Sequence, residues 1–170
     1  MVYYLIVDGY NIINSWPVLK AIESDNLENA RDKLIELLEN YRAYKGIKAT
    51  VVFDAHLVKN SMEKHEYYGG LEVVYTKENE TADAYIERLT DEMGRLYNVL
   101  VATSDWLEQQ VVLGRGAARI SARELYEDVV RAQKIMREKY RLTHSMGKHT
   151  IENRVPEDIL EKLEKLRRER

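Results

Sequence analysis

A chain of 170 residues, 45% apolar and 32% charged, has the length and balance of one ordinary globular domain. It contains no cysteine, which excludes disulfides and thiolate metal sites, so any bound metal must be held by oxygen or imidazole. The net charge of -3 hides an asymmetry: residues 1–113 carry 11 basic and 19 acidic side chains, residues 114–149 carry 9 and 4. An acidic site beside a basic docking face is the functional expectation, and a chance cluster on a solvated helix is the plain one.

The apolar run from Val2 to Val7 reads as a first strand, closed by the turn Asp8-Gly9. It is too short and lacks the basic flank of a signal peptide, and no segment approaches the ~20 apolar residues of a membrane span. A reducing cytoplasm, with no membrane partner, is the expected setting. Leu27, Ala30, Leu34, Leu37, Leu38, Tyr41 and Tyr44 recur at helical spacing and Gly46 stops that helix. Ala49–Phe53 is a second strand ending at Asp54, residues 56–70 read as loop, and Leu71–Tyr75 is a third strand. A helical stripe from Ala82 to Leu96 follows, then a fourth strand, Val99–Ala102, and a helix from Asp105 to Leu113. Ser121 and Glu124 form a capping box that opens a helix to about Tyr140. Residues 143–155 read as a linker, and Pro156 starts a short amphipathic helix. Residues 1–142 are therefore taken as the domain and 143–170 as a linker with a C-terminal helix. Strands alternating with helices predict an α/β fold, a three-layer α/β/α sandwich around a mainly parallel sheet.

In such sheets ligands bind beyond the carboxyl ends of the strands. Asp8, Asp54 and Asp105 each stand one to three residues past a strand end, and Asp83 lies in the first turn of the next helix. Glu80 precedes Asp83 by three residues. Taken singly, Asp83 and Asp105 are more often helix caps, and Asp8 and Asp54 turn residues. Their convergence is what points to chemistry: like charges gathered together need a compensating cation, and carboxylates suit Mg²⁺ or Mn²⁺. Such an ion polarises a phosphodiester and activates water. Asn11, Thr103 and Ser104 are placed to hold a carboxylate or a phosphate. Arg115, Arg119 and Arg123 lie in a stretch without an acid, the footprint expected of a polyanion such as RNA. Tyr10, Trp16 and Trp106 are either base-stacking platforms or core. Gly114-Arg115-Gly116 is not a dinucleotide loop, because no strand precedes it and Arg119 replaces the third glycine. The four histidines lack paired metal spacing, and three of them, in loop-like stretches, read as exposed.

The segments Val7-Asp8-Gly9-Tyr10-Asn11, Val52-Phe53-Asp54-Ala55-His56, Thr76–Asp83 and Ala102-Thr103-Ser104-Asp105, with Gly114–Ala117 and Ser121–Leu125, together resemble the bacterial YacP family, in the NYN branch of the PIN-like nucleases. The resemblance spans nearly the whole chain and is least clear in the C-terminal tail. It implies a PIN-like fold and Mg²⁺- or Mn²⁺-dependent hydrolysis of RNA. It also implies Asp8, Asp83 and Asp105 as the metal-binding core, Asp54 as a supporting acid and Asn11 as a positioning residue. By the same resemblance the substrate is mRNA cut on the translating ribosome, with a basic surface meeting ribosomal RNA near the decoding site. Arg115, Arg119, Arg123 and Lys77 would grip RNA phosphates. The alternatives are a non-catalytic RNA- or ribosome-binding module and a small-molecule phosphohydrolase using the same acids.

Overall fold

The computed structural model describes residues 3–152, and their side chains except those of residues 106–108, 112 and 147–152. The expected helix from Pro156 and the stacking role of Trp106 lie outside that description. The chain divides into two compact units, residues 1–132 and 133–170.

The first unit is built on a six-stranded sheet: β1 (Tyr3–Asp8), β2 (Lys48–Phe53), β3 (Lys64–Tyr68), β4 (Leu71–Tyr75), β5 (Asn98–Ala102) and β6 (Ala118–Ile120). Their order is β3-β4-β2-β1-β5-β6, parallel throughout except for β3, which is antiparallel to β4. The mainly parallel α/β architecture expected from the sequence is the one found. Strand residues alternate between the two faces. Tyr4, Ile6, Val52, Val74, Val99 and Val101 are buried with Ala82, Tyr85, Ile86 and Leu89 of α4 (Ala82–Met93). Leu5, Val7, Val51, Phe53 and Val73 turn the other way, toward the layer of α1 (Gly9–Ser15), α2 (Pro17–Glu23) and α3 (Leu27–Lys45). α5 (Trp106–Gly114) contacts α4 and β6, and α6 (Ala122–Glu152) follows.

Several expectations are corrected. Residues 64–68 are not loop but the edge strand β3. Gly69 has φ 59°, and Gly69-Gly70 joins Tyr68 to its cross-strand partner Leu71 as a two-residue hairpin. The turn after Asp8 is the start of α1, and Pro17 at the first position of α2 pre-sets its φ. α4 ends at Met93, leaving Leu96 exposed. β6 is a three-residue strand missed for its shortness. α6 does not stop near Tyr140 but runs to Glu152; Gly147 is the poorest helix former in the added stretch, and one glycine costs only about 1 kcal/mol. Gly46 does end α3, in the left-handed conformation at φ 65°. The Ser121–Glu124 capping box also forms, each backbone N–H donating to the other's side chain.

Gly9 couples this packing to the strand end. A Cβ there would lie 2.4 Å from Phe53 Cε1. The Phe53 ring cannot yield, being fully buried between Tyr10 and Tyr75 with ring centroids 5.1 and 5.5 Å away. Gly9→Ala should therefore destabilise the fold by about 1–3 kcal/mol, the usual cost of overpacking. In urea unfolding the midpoint should fall with little change in slope; an unchanged midpoint would show that the ring has room to move.

Candidate functional site

Parallel pairing brings the candidate residues to one edge. In register, Asp8 lies beside Val52 and Val7 beside Ala102. The segments leaving β1, β2 and β5 therefore emerge together, carrying Asp8, Asp54 and Thr103-Ser104-Asp105. Asp8 caps α1, its carboxylate accepting from Asn11 N at 3.4 Å. The Asn11 side chain then crosses to the end of β5, where its Oδ1 accepts from Ser104 N at 2.8 Å. Thr103 is fully buried; its Oγ1 accepts from Asp105 N and its carbonyl from Gln109 Nε2. Asn11 thus ties the ends of β1 and β5 together.

Asp54 is engaged on both oxygens. Oδ1 accepts from His56 N at 2.9 Å and pairs with the His56 ring, while Oδ2 accepts from Ala82 N at 3.1 Å. Burial opposes ionisation of Asp54, but these hydrogen bonds outweigh it and hold its carboxyl below the usual range. Asp54 therefore latches the loop after β2 to the first turn of α4. Two further bonds brace that loop: Ala55 N donates to Thr76 Oγ1, and Asn79 N to the His56 carbonyl. His56, read from the sequence as merely exposed, belongs to this edge. The signal was its place two residues after an aspartate, the spacing at which an Asx side chain binds backbone.

Asp83 stands in the first turn of α4, which Thr81 caps. The residue keeps an exposed face, yet its carboxyl is raised above the ordinary value, first by loss of water around it and then by the charges of Asp105 and Asp54. Three acids distant in sequence thus share one electrostatic field. Glu80 gives one oxygen to Arg88 at 2.9 Å; its other oxygen is buried with no hydrogen-bond partner among the described residues. Among the described residues no three His, Asp or Glu side chains are close enough together to hold a metal ion by themselves. That does not disqualify a hard cation, since Mg²⁺ is usually held by one or two carboxylates and completes its shell with water and substrate phosphate. An all-oxygen donor set at Asp83 and Asp105 fits such an ion.

The basic residues expected to act together are separated. Arg115 pairs with Glu87 and Asp91 of α4 and lines a cavity of about 520 Å³ with Tyr3 and Asn98, at the amino ends of β1 and β5. It is removed from the acids because the turn into parallel β6 must lie at the opposite end of the sheet. Arg119 donates to Gln109 Oε1 at 3.1 Å, joining the group around Thr103. Arg123 is highly exposed in the first turn of α6, paired with Glu127. Lys77 is exposed in the segment between β4 and α4, on the acid edge. Trp16 is core: it is 1% exposed, with Nε1 donating to the Ala122 carbonyl at 2.7 Å. Tyr10 packs on Phe53, its hydroxyl accepting from Arg31.

The raised carboxyl of Asp83 has a consequence for stability. Its folded value lies above its unfolded value, so the protonated form favours folding. That contribution is present below the unfolded value of about 3.9 and is lost as pH rises through the folded one. At pH 7 without divalent ions, Asp83→Asn should therefore melt at or above the wild-type temperature, with the gap closing below pH 4. Calorimetry showing a variant several degrees less stable at pH 7 would contradict this electrostatic picture.

Comparison with known proteins agrees with the fold. Residues 5–168 match the model of the YacP-like NYN domain. The chain is 42% identical to the "Uncharacterized protein YacP" of Bacillus subtilis (strain 168) over 165 residues, covering 96% of each. The crystal structure of Rae1 (YacP) from Bacillus subtilis superposes with a TM-score of 0.72 at 42% identity, covering 97% of this chain and 94% of that one. A crystal structure of a point mutant of the same Bacillus subtilis protein gives 0.74 at 40% identity, covering 85% of each. The chain belongs to the YacP-like NYN domain family, a nuclease-type, RNA-related group.

Proposed function

We propose that this protein is a metal-dependent endoribonuclease that cuts mRNA in association with the translating ribosome. The observation that carries the reading is the shared field of Asp83, Asp105 and Asp54 at the carboxyl edge of the sheet. An enclave of negative charge is a poor place for RNA unless a divalent cation lies between them. Asp83 and Asp105 would hold the ion, with Asp8 as the third acid that the family resemblance implies. When bound, Mg²⁺ or Mn²⁺ supplies activation of water and stabilisation of the leaving oxygen.

The chain's own residues do the rest. Asn11 fixes the Ser104 backbone and with it the segment carrying Asp105. Asp54 fixes the first turn of α4, which presents Asp83. Arg119, Arg123 and Lys77 offer cations for phosphates flanking the bond to be cut. The ribosomal setting rests on the family resemblance and on the basic excess of residues 114–149. On this reading residues 1–142 form the nuclease domain, 143–170 are an appendage to it, and the cytoplasm is the compartment in which it meets its message.

One observation favours the rival, a non-catalytic RNA-binding module: no three-ligand metal group exists among the described residues. Two measurements separate the readings. In a reconstituted translation system with Mg²⁺, the wild type should cut a translated mRNA at specific sites, and Asp83→Asn should lower that cutting by about 10²-fold or more, as expected when a group acting in the transition state is removed. Mg²⁺ should also raise the melting temperature of the wild type, through binding to the folded state alone, and not that of Asp83→Asn. Ribosome binding without cuts, and melting indifferent to Mg²⁺, would establish the binding module.

A further inference from the structure

Beside the acid edge lies a groove of about 460 Å³, within the range of small-ligand sites. Its floor is apolar and aromatic: Pro17, Ala122 and Tyr126 over the buried edge of Trp16. The floor is rigid. The Trp16 indole is tied to the Ala122 carbonyl, and Tyr126 packs on it at 5.3 Å with a tilt of 55°. Ser104 forms part of the wall, and the next residue is Asp105. The groove therefore begins where the acid site ends.

Its polar groups are few and already oriented. Ser15 Oγ donates its one hydrogen to the Asn11 carbonyl at 2.7 Å, so toward the groove it can only accept. Ser104 Oγ accepts from Ala122 N at 3.3 Å and keeps its hydrogen to donate. One acceptor and one donor above an apolar floor complement the edge of a nucleobase, where a donor stands next to an acceptor. At the rim, Arg123 has 87% of its side chain exposed and makes a weak, solvent-screened i,i+4 pair with Glu127. A phosphate would displace that partner readily.

We propose that this groove is a nucleobase subsite. A base flanking the scissile bond lies on Tyr126 and Pro17, Ser15 and Ser104 read its edge, and Arg123 holds the adjoining phosphate. The proposal rests on the nuclease reading and adds to it a source of base preference at the cut.

The test is a reconstituted translation reaction on an mRNA pool randomised around a mapped cut, with the new ends sequenced. Three full-length proteins are compared: wild type, Ser15→Trp, which fills the groove from an exposed position, and Tyr126→Ala, which removes its floor. Circular dichroism checks the fold of each. The wild type should show a preference of about tenfold for one base beside the cut, falling to about twofold or less in both variants, the scale of one lost stacking contact. Asp83-dependent cutting with no wild-type preference, or with the same preference in both variants, overturns the subsite and leaves the nuclease reading intact. Absence of any Asp83-dependent cut overturns the nuclease reading itself. Unaltered preference with loss of ribosome co-sedimentation in Ser15→Trp would assign the groove to a protein partner and also overturn the subsite.

Discussion

The parallel pairing of β1 with β2 on one side and β5 on the other is the constraint on which the site depends. Parallel strands end at the same edge, so whatever each carries past its last residue is delivered to one place. The central strands are buried on both faces, and a one-residue slip would turn each onto the wrong layer. The same hydrophobic packing that fixes the register therefore sets the spacing of the acids. Gly9 shows how little slack remains, since its missing side chain is what lets the end of β1 lie against Phe53.

At that edge the carboxylates have different tasks. Asp54 is committed to the protein: two backbone N–H groups and the His56 ring lower its affinity for protons and join two loops. Asp83 is left with burial and like charges, which raise its affinity for protons. One acid is stabilised as an anion by hydrogen bonds within the protein, whereas burial and like charges disfavour the anion of the other. That contrast in environment is why the proposed function gives Asp83 the role of metal ligand and Asp54 a supporting one. Asn11 belongs with Asp54 in this division, because its contact with Ser104 holds the segment carrying Asp105.

Much of this was legible in the sequence, and the exceptions have physical causes. Unbroken apolar runs marked β1, β2, β4 and β5, and their aspartates followed directly. β3 was hidden because an edge strand with exposed Lys64, His65, Tyr67 and Tyr68 has no buried face to pattern, although the Gly69-Gly70 turn announced its hairpin. α1 and α2 were hidden because one or two turns cannot display a helical period. They are held by tertiary burial of Ile12, Ile13 and Leu19 rather than by propensity. Arg115, Arg119 and Arg123 looked like one cluster because charge was counted along the chain. The turn into β6 places Arg115 at the far end of the sheet, bound to α4. His56 was passed over because its role comes from a local turn around Asp54, which no spacing rule for paired metal ligands detects.

The central claim is that a divalent ion binds among Asp83, Asp105 and Asp8, at the carboxyl edge of the sheet. The most direct measurement is a nuclear magnetic resonance titration with Mn²⁺, whose unpaired electrons broaden only the signals of nearby nuclei. Selective broadening of the backbone amides of residues 8–11, 82–84 and 103–105, relieved by excess Mg²⁺ and absent in Asp83→Asn, is the predicted result. Broadening centred elsewhere, or none above that of unspecific surface carboxylates, would contradict the account.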